Sequence, residues 1–485
     1  MNATPAKLID DATQADVAGA LRATLDSQRA DFLAEGFPSA ELRIERLDRL
    51  ARLIKENQDA IADAVIADYG SRSRVETVIS EILSSLSYIQ YARKRLRGWM
   101  KPEKRSAALA FGPGKARIIT QPLGCVGVIS PWNYPFYLAA VPAATALAAG
   151  NRVFMKPSEL TPRTSELTAE LVARYFRPEE FAVATGGPEV GSAFSQLPFD
   201  HMLFTGSTAV GHHIMRAAAA NLVPVTLELG GKSPTIISDD YPLAEAAERI
   251  AAGKWFNAGQ TCIAPDYLLV PEGKEDDMAQ ALQAALSRRY PTIAANEDYT
   301  AILNDRHYAR LTGYIEEARA GGARVIEVKP EGETIDPAGR KIAPTLLIGV
   351  NDGMRVMQDE IFGPVMPILS YRTLDEAIGF VNARPRPLAL YYFDNNRARV
   401  NDVLARTTSG GACVNETIMH VVQDDLPFGG VGASGMGAYH GPEGFFSMSH
   451  RKAVFERGSL NPAKLMGPPY HPRLLKMVNW LIGRH

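Results

Sequence analysis

One cysteine closes a short polar run, Phe256-Asn257-Ala258-Gly259-Gln260-Thr261-Cys262, and Pro265 interrupts regular structure just beyond it. Gly259 permits a tight turn or a close approach by another group. Asn257, Gln260 and Thr261 are poor choices for a core and good ones for a site. Cysteine acts as a nucleophile when its thiolate is favoured and reachable. The alternative is a small buried hydrophobe, the usual state of a free cysteine. Two other turns carry groups suited to a nucleotide. Lys156-Pro157-Ser158-Glu159 sets a cation and a carboxylate after an apolar run, where they can hydrogen-bond ribose hydroxyls or form an ordinary charged turn. Thr205-Gly206-Ser207-Thr208-Ala209-Val210-Gly211 leads into a helical stretch, whose first N–H groups suit a pyrophosphate. It is neither the GxGxxG fingerprint nor a P-loop, and a plain strand–helix connection reads the same way. The nine histidines show no metal-ligand spacing, so no metal is expected.

These residues need a frame. From Leu123 short apolar runs alternate with helical stretches, the pattern of a parallel sheet with crossover helices. Strands are expected at 126–129, 152–155, 181–184, 201–204 and 224–229, giving a doubly wound sheet of about five strands. Ligands of such sheets bind beyond the carboxyl ends of the strands, where the Lys156 and Gly206 turns fall. After Gly230-Gly231 the alternation restarts, with strands expected at 235–237, 267–270, 324–326, 342–347, 367–371 and 388–393. Ahead of both lies a helical layer at 17–36, 39–69 and 73–99, with Leu47, Leu50, Leu53 and Ile54 on one face. Residues 116–120 alternate after Gly112-Pro113-Gly114 and are expected to form a projecting strand whose edge needs a partner.

A chain of 485 residues exceeds what one core organises, so two domains and a small third element are expected. Hydrophobic residues at 46% and charged residues at 22% are ordinary for a soluble globular protein. A net charge of −2 points to neither nucleic acid nor an anionic membrane. Three cysteines cannot staple a chain this long, which suits a reducing, cytoplasmic setting. The first ten residues lack the apolar stretch of a secretory signal. The longest apolar run, 137–149, is too short to span a membrane and contains Pro142.

Four stretches fall at loops or strand ends: Pro131-Trp132-Asn133-Tyr134-Pro135, Leu227-Glu228-Leu229-Gly230-Gly231-Lys232, the Cys262 run, and Gln358-Asp359-Glu360-Ile361-Phe362-Gly363-Pro364. With the Lys156 and Gly206 turns they form a set that resembles the aldehyde dehydrogenase superfamily, in the family's order, from about residue 17 to about residue 455. The most specific signatures run from Leu227 to Pro234 and from Gly259 to Cys262. The Asn133 and Lys156 stretches and Asp425-Leu426-Pro427-Phe428-Gly429-Gly430-Val431-Gly432-Ala433-Ser434-Gly435-Met436-Gly437 are similar to the class-3 type. The opening helices, with Glu45-Arg46-Leu47-Asp48-Arg49-Leu50 and Arg93-Lys94-Arg95-Leu96-Arg97-Gly98-Trp99-Met100, most resemble bacterial coniferyl aldehyde dehydrogenases.

The resemblance implies an α/β fold of two doubly wound domains, a Rossmann-like cofactor domain and a catalytic domain, with a small oligomerisation β element. The implied boundaries are 1–105 and 122–231 for the NAD(P)-binding domain with its helical layer, and 232–425 for the catalytic domain. Residues 106–121 and 440–460 would form the oligomerisation element, and 461–485 a C-terminal tail. Cys262 would attack the aldehyde, passing through a thiohemiacetal and a thioester. The Asn133 amide and the Cys262 N–H would hold the oxyanion. Glu228 would serve as general base for hydrolysis to the acid; its ordinary alternative is an ion pair with Lys232 at four-residue spacing. Lys156 and Glu159 would meet the adenine ribose, and Gly206, Ser207 and Gly211 the pyrophosphate turn. Glu360 would meet the nicotinamide ribose, with Phe362, Pro131 and Trp132 packing on the cofactor side. Glu159 should repel a 2′-phosphate, which favours NAD, with NADP also open.

The implied substrate is an aromatic aldehyde such as coniferyl aldehyde, and the implied assembly a homodimer without nucleic acid or a stable membrane anchor. Leu474, Leu475, Met477, Val478, Leu481 and Ile482 predict a short apolar helix that caps the protein's own surface. Trp132, Tyr134, Tyr137 and Phe428 would wall the substrate or simply pack. Cys125 and Cys413 are expected to be buried, and Asn415 to lie at the catalytic end. Two rival readings are a coenzyme A-acylating enzyme, against which Glu228 argues, and a non-catalytic dinucleotide-binding protein. The joint presence of Cys262, Glu228 and Asn133 argues against the latter.

Overall fold

The computed structural model describes residues 14–108, 114–458 and 467–483. The opening helices are α1 (Gln14–Glu35), α2 (Ala40–Glu56) and α3 (Gln58–Tyr69). Ser39 caps α2 by accepting the Leu42 N–H, and Leu47, Leu50, Leu53 and Ile54 are buried as the periodicity predicts. The stretch expected as one helix over 39–69 is two. Asn57 leaves helical backbone and turns its side-chain amide onto the Leu53 carbonyl, 2.8 Å away. The helix expected over 73–99 is also interrupted: α4 (Arg74–Thr77) runs into a π-turn, Val78–Leu83, before α5 (Ser84–Trp99). The turn holds Glu81 inward, fully buried, where it accepts the N–H groups of Phe136 and Tyr137.

The first sheet contains β3 (Cys125–Ile129), β4 (Arg152–Lys156), β5 (Phe181–Val183), β6 (His201–Thr205) and β7 (Val225–Glu228), all parallel. A sixth, unexpected strand, β15 (Gly435–Met436), runs antiparallel along β7. Its two residues are too few to leave a sequence pattern. The order is β15-β7-β6-β3-β4-β5. Both faces are covered. Val126 and Val128 pack among α2, α5 and the crossover helix α6 (Tyr137–Ala149), while Cys125 and Ile129 pack with Val17, Leu21 and Leu25 of α1. Every residue of α6 is buried, which explains an Ala-rich sequence with no polar face.

The second sheet has the order β10-β11-β12-β9-β8-β13-β14. Its strands are β8 (Pro234–Ile237), β9 (Tyr267–Pro271), β10 (Arg324–Glu327), β11 (Thr345–Ile348), β12 (Val365–Tyr371), β13 (Ala389–Phe393) and β14 (Gly411–Val414). Only β10 is antiparallel to its neighbour. A third sheet joins β1 (Glu103–Arg105), β2 (Gly114–Pro122) and β16 (Ser449–Arg457). The projecting strand thus finds a partner on each edge within its own chain: β1 on one side, with Glu103 opposite Ile118, and β16 on the other, with Ser449 opposite Pro122 and Arg457 opposite Gly114.

The tail departs from expectation. A helix does form over Pro472–Ile482, but Leu475, Met477, Val478, Trp480 and Ile482 stay exposed, so it does not cap this chain's own surface. Among the described residues no helix is long and apolar enough to cross a membrane.

Candidate active site

The helix Leu243–Lys254 ends in a turn whose next residues reverse the chain: Asn257 and Ala258 both have φ 52° and Gly259 has φ 76°. Such left-handed backbone is strained for alanine and tolerable for asparagine. A Cβ on Gly259 would lie 2.3 Å from the Gly363 carbonyl oxygen, so only glycine fits. The polar residues before the cysteine are spent on holding this loop. The Gln260 amide donates to the carbonyls of Asn257 and Ala301, 3.1 Å each, and accepts the Leu303 N–H at 3.0 Å. The Thr261 and Tyr134 hydroxyls lie 2.7 Å apart, and the Asn257 amide donates to the Asn133 carbonyl at 3.0 Å. The loop after β3 and the loop bearing Cys262 are therefore tied together.

Cys262 is half-buried and forms no disulfide. Burial raises its thiol pKa, and the nearby carboxylates of Glu360 and Glu228 add to the rise. Glu228 ends β7 and is buried, and neither carboxylate oxygen finds a hydrogen-bond partner among the described residues. Burial alone lifts it well above the usual carboxyl range. The Lys232 pairing does not form: Lys232 binds Asp266 and donates to the Val356 and Asp359 carbonyls. Glu360 is pushed up to about 8, first by burial and then by Asp266. It lies so close to Gly230 that a Cβ there would sit 2.1 Å from its carboxylate oxygen.

At the carboxyl end of β4, the Lys156 amine binds the Glu159 carboxylate at 2.6 Å. The Gly206 N–H donates to the Glu228 carbonyl at 3.0 Å, and Ser207 caps the helix Thr208–Ala219. Gly211 lies against Leu229, where a Cβ would come within 2.8 Å, so it brings that helix onto the strand end. After Pro131, the Trp132 ring packs on Phe362 at 5.3 Å and on His307 at 5.0 Å. Phe362 holds φ 51°. This edge offers a cation, a helix N-terminus and unpartnered carboxylate oxygens, a donor and acceptor set that fits a dinucleotide.

The family described as "Aldehyde dehydrogenase family" matches residues 2–454. The chain belongs to that family. A coniferyl aldehyde dehydrogenase from a Pseudomonas species is 50% identical over 465 residues, covering 96% of each chain. The substrate-bound state of Staphylococcus aureus AldH shares the fold with a TM-score of 0.89 at 39% identity, over 95% of this chain and 99% of that one. Mycobacterium tuberculosis aldehyde dehydrogenase complexed with NAD+ gives 0.82 at 29% identity, over 93% and 92%. As an aldehyde dehydrogenase, the protein oxidises an aldehyde with a nicotinamide dinucleotide as oxidant.

The cysteine of this aldehyde dehydrogenase packs against the buried cluster that contains Tyr137, Tyr391 and Tyr439. The Tyr137 hydroxyl lies 3.4 Å from His440 Nε2. The Phe428 ring sits 5.3 Å from His440 and 6.0 Å from His420. Burial pushes His420 down to about 4 and His440 to about 3, so both rings are neutral. Tyr391, Tyr439 and the two histidines escaped the sequence reading, because only the fold brings β13, β14 and residues 428–440 to the cysteine. Cys125 and Cys413 are buried, as expected, and the Cys413 sulfur meets His420 Nδ1 at 3.2 Å. Asn415 differs from expectation: its side chain accepts the Asp394 N–H at 2.8 Å and donates to the Asp394 carbonyl at 3.0 Å, so it shapes a loop.

Proposed function

We propose that Cys262, Glu228 and Asn133 carry aldehyde oxidation in this chain, and that the substrate is an aromatic aldehyde of the phenylpropenal class. The supporting observation is Glu228: a buried carboxyl group with both oxygens unpartnered, close enough to Cys262 to raise its pKa. The Cys262 sulfur, once deprotonated, adds to the aldehyde carbon. The oxygen becomes an anion and accepts from the Asn133 amide and the Cys262 N–H, donors worth about 3–4 kcal/mol each when preplaced. A bound nicotinamide dinucleotide would supply the acceptor for the hydride that leaves that carbon. The acyl group is left as a thioester on Cys262. Glu228, once ionised, takes a proton from water, and the resulting hydroxide equivalent attacks the thioester and releases the carboxylic acid. A positioned base contributes roughly 10²–10⁴-fold to such a step.

Lys156 and Glu159 would hold the adenine ribose, Gly206 and Ser207 the pyrophosphate, and Glu360 the nicotinamide ribose. Gly211 lets the helix N-terminus approach, and Pro131, Trp132 and Phe362 flank the ring. The Glu159 carboxylate favours NAD over a 2′-phosphorylated cofactor. The six-stranded sheet supports a cofactor domain of 1–105 and 122–231, and the seven-stranded sheet a catalytic domain of 232–425. The three-stranded sheet, with open edges at β1 and β16, supports a homodimer contact through 106–121 and 440–460 in a cytoplasmic enzyme. Coniferyl aldehyde is the first candidate substrate, on the relative's name and the aromatic cluster by Cys262.

The test is an aldehyde panel assayed with NAD and NADP separately, with Cys262→Ala as control. Coniferyl aldehyde should exceed a medium aliphatic aldehyde in kcat/KM by about tenfold, the scale of a modest pocket preference. The reverse order would sink the aromatic reading. NADH formation by Cys262→Ala would sink the mechanism, and acyl-CoA as product would replace hydrolysis by acyl transfer.

A further inference from the structure

Asn133 and Cys262 stand on loops from different sheets, and the backbone carbonyl of Asn133 is the meeting point between them. Three donors converge on that oxygen: the Tyr69 hydroxyl at 3.0 Å, Arg72 Nη1 at 3.2 Å and the Asn257 amide at 3.0 Å. A carbonyl has two lone pairs, so its direction is over-determined. Each donor is itself fixed. Tyr69 ends α3, and its single O–H is shared between this oxygen and the Trp132 carbonyl at 3.2 Å. The Arg72 guanidinium is fully buried, 3.3 Å from Glu81 and over the rings of Tyr69 and Tyr134 at 4.8 and 5.1 Å. Asn257 is pinned through its N–H to the Glu76 carboxylate at 2.6 Å.

We propose that Tyr69, Arg72 and Asn257 are positioning residues for the oxyanion site. They grip the Asn133 peptide from the helical layer on one side and from the Cys262 loop on the other. With the Trp132 and Asn133 carbonyls both held, the peptides on either side of the Asn133 Cα are fixed, and with them the direction of its Cα–Cβ bond, so the grip sets where the side chain starts relative to the Cys262 loop. The proposal rests on the oxyanion role assigned to Asn133 above. It implies that part of the catalytic geometry is set by residues 69–76, which touch neither substrate nor reacting atoms.

The test uses Tyr69→Phe, which removes one donor and keeps the ring, and Asn257→Gly, which removes another and keeps the left-handed backbone. Each should lower kcat by about tenfold, since misplacing a reacting group costs up to roughly 10²-fold. KM for the aldehyde and NADH affinity by fluorescence titration should hold. The deciding readout is a double-mutant cycle. In an Asn133→Ala background, Tyr69→Phe should cost less than about twofold, because the grip acts only through Asn133. The same tenfold loss in that background, or a loss of kcat that tracks a collapse of the melting transition, would show a general structural role and overturn the proposal. So would wild-type kcat in both single variants. If Asn133→Ala itself kept full activity, the oxyanion reading would fall and the grip with it. Loss in Asn133→Ala beside wild-type rates in Tyr69→Phe and Asn257→Gly would reject the grip alone.

Discussion

Burial favours the protonated forms of the Glu228 carboxyl and the Cys262 thiol, and both must lose a proton to do the work assigned to them. Turnover limited by thioester hydrolysis should therefore climb with pH through the range in which Glu228 ionises, displaced upward from the ordinary carboxyl range, by up to about tenfold per unit. In Glu228→Gln the amide cannot take a proton. Steady-state turnover should fall by roughly 10²–10⁴-fold, while stopped-flow absorbance still records a first burst of NADH, since acylation consumes no water. A variant without the burst would place Glu228 in the first half-reaction. Glu360 gives a stability signal of fixed sign. Its pKa rises from the usual 4.5 to about 8 on folding, so it is neutral for stability at low pH and increasingly destabilising as pH climbs through that window. Glu360→Gln should flatten the decline in denaturation midpoint between pH 5 and pH 8.

At the scale of elements, the Cys262 loop is a backbone device before it is a chemical one. Three consecutive left-handed residues end with Gly259 pressed on the Gly363 carbonyl. Gly259→Ala should destabilise the fold by about 1–3 kcal/mol, the range for a strained backbone position, and slow alkylation of Cys262 by iodoacetamide as the loop shifts. Unchanged urea midpoints and alkylation rates would show that the loop yields freely. The same loop shows what a sequence can disclose. The cysteine stood out because its neighbours were polar, and the chemistry read from it survives. Yet Asn257 and Gln260, taken as site residues, face inward and hold the loop. Alternation of apolar and helical runs located the long strands of both sheets, since each carries its own burial pattern. The break at Asn57, the π-turn at 78–83, the edge strand β14 and the two-residue β15 depend on single residues or on distant partners, and left no periodic trace. His420 and His440 were invisible for the same reason: their meaning lies in contacts, not in spacing.

Over the whole molecule, the described tail helix is a passenger on the monomer. Its apolar residues are exposed, so it contributes little burial. Truncation after Gly458 should leave the melting temperature of the monomer within about 1 °C, because a helix whose apolar residues stay largely exposed buries little surface on folding. A marked loss that depends on protein concentration would show that the tail packs on another subunit. Two other features tie the sheets to each other. The chain crosses from the first sheet to the second at Gly230-Gly231, and then it comes back. Gly435 and Met436 pair with Glu228 and Leu227, and the Leu229 N–H donates to the Ser434 carbonyl at 3.0 Å. A Cβ on Gly435 would lie 2.1 Å from the Leu227 oxygen, so the return strand hugs its partner. The molecule is laced rather than hinged. Any swing about the double glycine would have to peel the return strand off the residue proposed as the base, so the two sheets are held in register across the strand that carries it.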